Sequence, residues 1–113
     1  MGRRSSLGDL EELALLCVRR LGQDADGAAV RDELADVAGR KVSVSTVYVT
    51  LMRLEEKGYA RSRLGEPTPE RGGRAKRLFA VTPEGAEALE TRRAVRDRLW
   101  SRSPDAEPEG SGA

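Results

Sequence analysis

The stretch VSVSTVYVTLMRLEEKG, residues 42–58, decides the fold. Ser43 is a favourable helix N-cap and Gly58 a helix-ending residue, so the spacing predicts a short helix between them. At helical periodicity Val44, Val47, Tyr48, Leu51 and Leu54 form a stripe expected to be buried, while Thr46, Val49, Thr50 and Arg53 point away from it. A helix that only covers a core normally shows water a dense row of Lys and Glu. Small hydroxyls with one Arg suit a surface that enters a groove of nucleic acid.

Working outward toward the C-terminus, Tyr59 to Leu64 and Arg77 to Val81 have strand composition. Gly65 to Lys76 between them is rich in residues that end strands and make loops. The expected element is a β-hairpin with a long basic tip. From Arg61 to Arg77 there are six positive residues and two acids, a surplus of four, although the whole chain carries only +1. A positive hairpin directly after a hydroxyl-bearing helix is the layout of a winged helix-turn-helix, in which the helix reads the major groove and the wing grips phosphate.

Toward the N-terminus, residues 1–6 are expected to be disordered. A first helix is predicted from Asp9 to Leu21 with the apolar stripe Leu10, Leu13, Ala14, Cys17 and Leu21, and a second from Ala28 to Val37 with Val30, Leu34 and Val37 inward. The winged-helix domain is thus assigned to residues 7–82. Thr82 is a good N-cap with Pro83 at the first helical position, so a C-terminal helix is expected over residues 83–100. Its arginines 92, 93, 96 and 98 lie in its second half, where cations favour the negative end of the helix dipole. Residues 101–113 lack any apolar side chain larger than Ala and are expected to be a disordered acidic tail. Residues 103–113 hold three acids and no base, which leaves +4 on residues 1–102.

Composition narrows the function. The 113 residues, 38% hydrophobic and 35% charged, suit one small globular domain that needs a partner to bury enough surface. There is no His and a single Cys17, so neither a zinc site nor a thiolate–imidazole or serine–histidine pair is available, and no phosphate-cradling glycine motif occurs. The reading is not an enzyme, with no cofactor and no metal. No apolar stretch approaches the roughly 20 residues of a membrane span, and the N-terminus lacks the apolar region of a secretory signal, so a cytoplasmic location is expected.

Five segments in order carry a family resemblance: Leu7 to Glu11, Ser43 to Tyr48, Leu51 to Gly58, Gly73 to Arg77 and Val81 to Gly85. Together they resemble the PadR-like transcriptional regulators over about residues 7 to 90. The resemblance implies a mainly α winged helix-turn-helix with a small β-hairpin plus a C-terminal dimerisation helix. It further implies a homodimer, usually a repressor, that binds a double-stranded DNA operator and releases it on binding a small effector. The DNA-contacting set is then Ser43, Ser45, Thr46, Tyr48, Val49, Thr50 and Arg53 on the helix, with Arg71, Arg74 and Lys76 on the wing. The chain departs from the family pattern at Ser45, Val47, Val49 and Ala28, where Gly, Leu, Pro and an aromatic are frequent. Only one helix fits after the wing, as in the short members of the family.

That last helix is expected to pair two copies. At 100° per residue Ala86, Leu89 and Trp100 fall along one side, and Ala88, Val95 and Leu99 on a side roughly 140° to 180° away. One side would pack on the body and the other on a partner helix. The expected interface residues are Leu89, Val95, Leu99 and Trp100, and Trp100 is also the candidate to stack on a small apolar effector. The alternative is a winged-helix protein-interaction or RNA-binding module without operator binding. Single-stranded RNA would call for stacking aromatics, of which the chain has few.

Overall fold

The computed structural model describes residues 7–67, 69, 72 and 75–102; the expected disordered start, residues 103–113 of the expected tail, and Arg71 and Arg74 lie outside the described residues. The order is α1 (Asp9–Leu21), a 3₁₀ turn (Gly22–Asp24), α2 (Gly27–Ala38), α3 (Val44–Glu56), β1 (Ala60–Pro67), β2 (Ala75–Val81) and α4 (Pro83–Arg102). Each helix begins where its sequence supplies a cap. The Glu11 carboxylate accepts from the Gly8 N–H at the start of α1, Asp26 from the Ala29 N–H at α2 and Ser43 from the Thr46 N–H at α3. Because Asp26 is the cap, α2 starts at Gly27 rather than Ala28.

The first three helices enclose one core. Leu15 and Val18 of α1, Val30 and Leu34 of α2, and Val47, Leu51 and Leu54 of α3 are almost fully buried, and Phe79 closes the core from β2. Val37, expected to point inward, is exposed at the end of α2, where the core stops at Leu34. Cys17 is buried, and burial pushes its thiol up to about 11, with Glu33 adding and Arg20 opposing. It is an inert core residue at neutral pH.

The hairpin is antiparallel, with Ala60 opposite Val81 and Leu64 opposite Arg77. Its strands are longer than composition suggested. Gly65 and Pro67 join β1 through an irregularity between Leu64 and Pro67, and glycine suits position 65 because a Cβ there would meet the Leu78 side chain at 2.9 Å.

α4 is fastened by its first turn. The Thr82 hydroxyl donates to the Gly58 carbonyl at 2.6 Å and accepts from the Gly85 N–H at 3.0 Å, while the Thr82 N–H donates to the Tyr59 carbonyl. Gly58 takes φ 84°, a left-handed conformation that suits glycine, and Gly85 sits so close that an added Cβ would lie 2.1 Å from the Tyr59 oxygen. The helix then runs along α1, where the Glu12 carboxylate accepts from Arg92 Nε at 3.0 Å and Arg96 Nη2 at 3.2 Å. These arginines are committed to α1 as well as favouring the helix end. The two apolar sides expected on α4 straddle the line through Gly85, Arg92 and Arg96 that faces the body, instead of lying opposite each other. Leu89 and Ala88 are both covered by the body, and from Arg93 to Ser101 every residue is exposed. Among the described residues no helix is long and apolar enough to cross a membrane.

Candidate nucleic-acid interface

α3 turns a different face to the core than its apolar residues alone suggest. The buried positions are Val47, Thr50, Leu51 and Leu54, an i, i+3, i+4, i+7 set, and Val44 is exposed. Thr50, expected to face DNA, is only 6% exposed. It can be buried because its hydroxyl donates to the Thr46 carbonyl one turn back, at 2.8 Å, which satisfies the polar group within the helix. The outward midline is therefore Ser45, Val49, Met52 and, at the C-terminal end, the acid Glu56, flanked by Thr46 and Arg53 on one side and by Val44 and Tyr48 on the other. Ser43 is spent as the cap: it accepts from the Thr46 N–H at 3.1 Å and donates to Thr46 Oγ1 at 3.0 Å.

The hairpin attaches along the Tyr48 flank. Tyr48, expected in the buried stripe, remains 40% exposed while its ring meets Phe79 edge-on, with centroids 6.2 Å apart. Two turns further on, Glu55 accepts from the Ser62 N–H at 3.1 Å and from the Ser62 hydroxyl at 3.0 Å, and Arg77 Nη1 donates to that hydroxyl at 2.9 Å. Glu55, Ser62 and Arg77 thus join α3 to both strands. Lys76 lies 4.0 Å from the Asp26 carboxylate, the cap of α2, and its side chain is about half exposed. Of the expected wing contacts it alone falls among the described residues.

Several residues of this surface were missed by sequence reasoning. Arg40 and Lys41, exposed in the turn ahead of α3, extend its positive edge, and Met52 lies on the outward midline. A turn of polar and basic residues before a capped helix was the available signal for the first two. The expected interface residues divide as well: Leu89 is 7% exposed inside the chain's own core, whereas Val95, Leu99 and Trp100 project from the free half of α4.

A small, weakly charged helix face, bordered by basic residues and rigidly joined to a projecting hairpin, is a shape that fits a duplex groove. Solved structures of the same shape include a transcriptional regulator from Clostridium thermocellum, 20% identical, with a TM-score of 0.65 over 80% of this chain and 82% of that one. A PadR family transcriptional regulator from Eggerthella lenta is 27% identical, with a TM-score of 0.63 over 80% of this chain and 79% of that one. The Aeropyrum pernix ORC1 protein, solved in complex with DNA, is 23% identical, with a TM-score of 0.58 over 82% of this chain and 26% of that one. No curated protein sequence matches the chain. The family model of the PadR-like transcriptional regulators matches residues 15–91, which span α1 from Leu15 onward, α2, α3, the hairpin and the fastened start of α4, and the chain belongs to that family of DNA-binding transcription regulators.

Proposed function

We propose that the chain acts in the cytoplasm as a homodimeric repressor that recognises a specific double-stranded DNA operator. α3 enters the major groove with Ser45, Thr46, Val49 and Arg53 toward the base edges, and the tip carrying Arg71, Arg74 and Lys76 lies on phosphates. The observation that carries this reading is the outward face of α3, hydroxyl and methyl groups with one exposed guanidinium ahead of a single acid, Glu56, in its last turn, held to the hairpin by the Glu55–Ser62–Arg77 bonds. A helix face free of acids along most of its length and fixed relative to a basic hairpin can meet both groove and backbone at once. Val95, Leu99 and Trp100 on the free half of α4 support pairing of two copies, and a two-fold axis would set two recognition helices about one DNA turn, roughly 34 Å, apart. Repression by occupancy and release by a small effector, with Trp100 as a stacking surface, complete the proposal.

Selection of bound fragments from random genomic DNA by the purified full chain tests it. Recovery of a two-fold symmetric motif is expected. Arg74→Ala with Lys76→Ala should weaken binding to all duplexes and flatten its salt dependence, by about one unit of slope for each phosphate no longer neutralised. No enriched motif, or an unchanged slope in a folded double variant, would refute the assignment.

A further inference from the structure

The hairpin has a second face that DNA recognition leaves unused. Ser62 turns toward Glu55 of α3, so Arg61 and Arg63 on either side of it turn the other way, with their cross-strand neighbours Ala80 and Leu78. That face looks onto the end of α1 across a groove of about 550 Å³, within the roughly 300–1,000 Å³ of small-molecule sites. Three guanidiniums stand at the groove, Arg19 from α1 and Arg61 and Arg63 from β1, and no carboxylate lines it. Elsewhere Arg20, Arg92 and Arg96 each find an acid. Among the described residues Arg19, Arg61 and Arg63 have no such partner within 4.0 Å. Beside the charges, on the same strand face, Leu78 and Ala80 present apolar surface. Two arginines separated by one residue on a strand have Cα atoms roughly 6.6 Å apart, close enough for both side chains to grip one headgroup.

We propose that this groove binds a small amphipathic organic anion, with its carboxylate or phosphate on Arg61, Arg63 and Arg19 and its apolar body against Leu78 and Ala80. A duplex is the poorer occupant. Arg61 and Arg63 lie on the strand face opposite the one that Ser62 turns to α3, away from the helix assigned to the groove of DNA. The proposal stands apart from the operator and dimer readings, because binding is measured on the full chain without DNA.

Calorimetric titrations with octanoate, octyl phosphate, octanamide and inorganic phosphate test it. Octanoate or octyl phosphate should bind about tenfold or more tightly than octanamide, which lacks the charge, and than inorganic phosphate, which lacks the apolar body. Amide resonances of Gly22, Ser62 and Ala80 should shift on binding. Arg61→Gln with Arg63→Gln should lower the affinity about tenfold at an unchanged unfolding midpoint, and Arg61→Lys with Arg63→Lys should retain most of it. No binding by either amphipathic anion, equal binding of octanamide, or undiminished binding in the glutamine variant would overturn the assignment. Weaker DNA affinity in that variant without any anion binding would overturn it too, by assigning the two arginines to the duplex.

Discussion

Lys57, the C-cap of α3, holds its ammonium 2.7 Å from the Glu11 carboxylate in the first turn of α1, and the Gly8 N–H donates to the same oxygen at 2.8 Å. One carboxylate therefore caps one helix and anchors the end of another. Burial alone would raise Glu11, but the Gly8 hydrogen bond and the Lys57 charge, with a smaller contribution from Arg53, outweigh it and hold the carboxyl below its ordinary value near 4.5. A depressed folded pKa contributes stability that is present above the unfolded value and lost as pH falls through the folded one. Glu11→Ala should cost about 1–3 kcal/mol near pH 7 by urea unfolding, with the difference from the unmodified chain shrinking below about pH 4.5. A difference that stays constant down to pH 3 would sink this account.

Glu55 is expected to matter for DNA affinity through geometry and against the sign of its charge. Removing an acid from a DNA-binding surface should by electrostatics alone strengthen binding. Glu55→Ala instead releases Ser62 and Arg77 from α3, so the hairpin loses its fixed angle to the helix. The expected outcome is roughly tenfold weaker operator binding with helical content intact. Tighter binding by the variant in a fluorescence-anisotropy titration would show that the bonds do not position the wing.

Thr50 and Arg53 separate what was legible in sequence from what was not. Capping residues and terminal glycines place α1 and α3 within a residue of their observed bounds, because those signals are local hydrogen-bonding chemistry. The rotation of α3 about its axis is not local. It depends on whether a Thr hydroxyl can satisfy itself against its own helix, and that moves the buried stripe from Val44 and Tyr48 to Thr50. Likewise the Glu12 pairs with Arg92 and Arg96 join residues about 80 positions apart, beyond any periodicity argument. The wing was visible as charge and loop composition, but its pairing through Gly65 was not. Arg53→Ala should then cost roughly 1–3 kcal/mol on the preferred operator and change the selected motif, whereas Thr50→Val should leave the motif unchanged. A motif altered by Thr50→Val and untouched by Arg53→Ala would reverse the assigned orientation of α3.

Gly85 tests the junction between the winged-helix body and α4. Its missing side chain lets the helix start against the Tyr59 carbonyl, and no rotamer change can relieve a Cβ placed 2.1 Å from a backbone oxygen. Gly85→Ala should destabilise the chain by about 1–3 kcal/mol or more, even though alanine favours helix elsewhere. Glu84→Ala, next to it and exposed, serves as the control for helix propensity. Equal thermal midpoints for the two variants would mean that the contact relaxes freely.

The free half of α4 provides the sharpest test of the proposed dimer. Truncation after Thr91 removes Val95, Leu99 and Trp100, but it also removes Arg92 and Arg96 and so breaks the Glu12 pairs that hold α4 to α1. Leu99→Asp with Trp100→Asp is cleaner. Both side chains are exposed within one chain, Trp100 by 76%, so a monomer loses no packing when they change. In a dimer each buried large apolar side chain contributes about 1.5–3 kcal/mol, and a carboxylate in its place adds a desolvation cost. The double variant should therefore sediment as a monomer at micromolar concentration, with unchanged helical content and much weaker operator binding, since each copy would hold only one half-site. Leu89→Ala, by contrast, should lower stability by about 2–5 kcal/mol without selectively dissociating the dimer, because Leu89 lies in the chain's own core. An aspartate variant that remains dimeric, or an unmodified chain that is monomeric at the same concentration, would remove α4 from the interface.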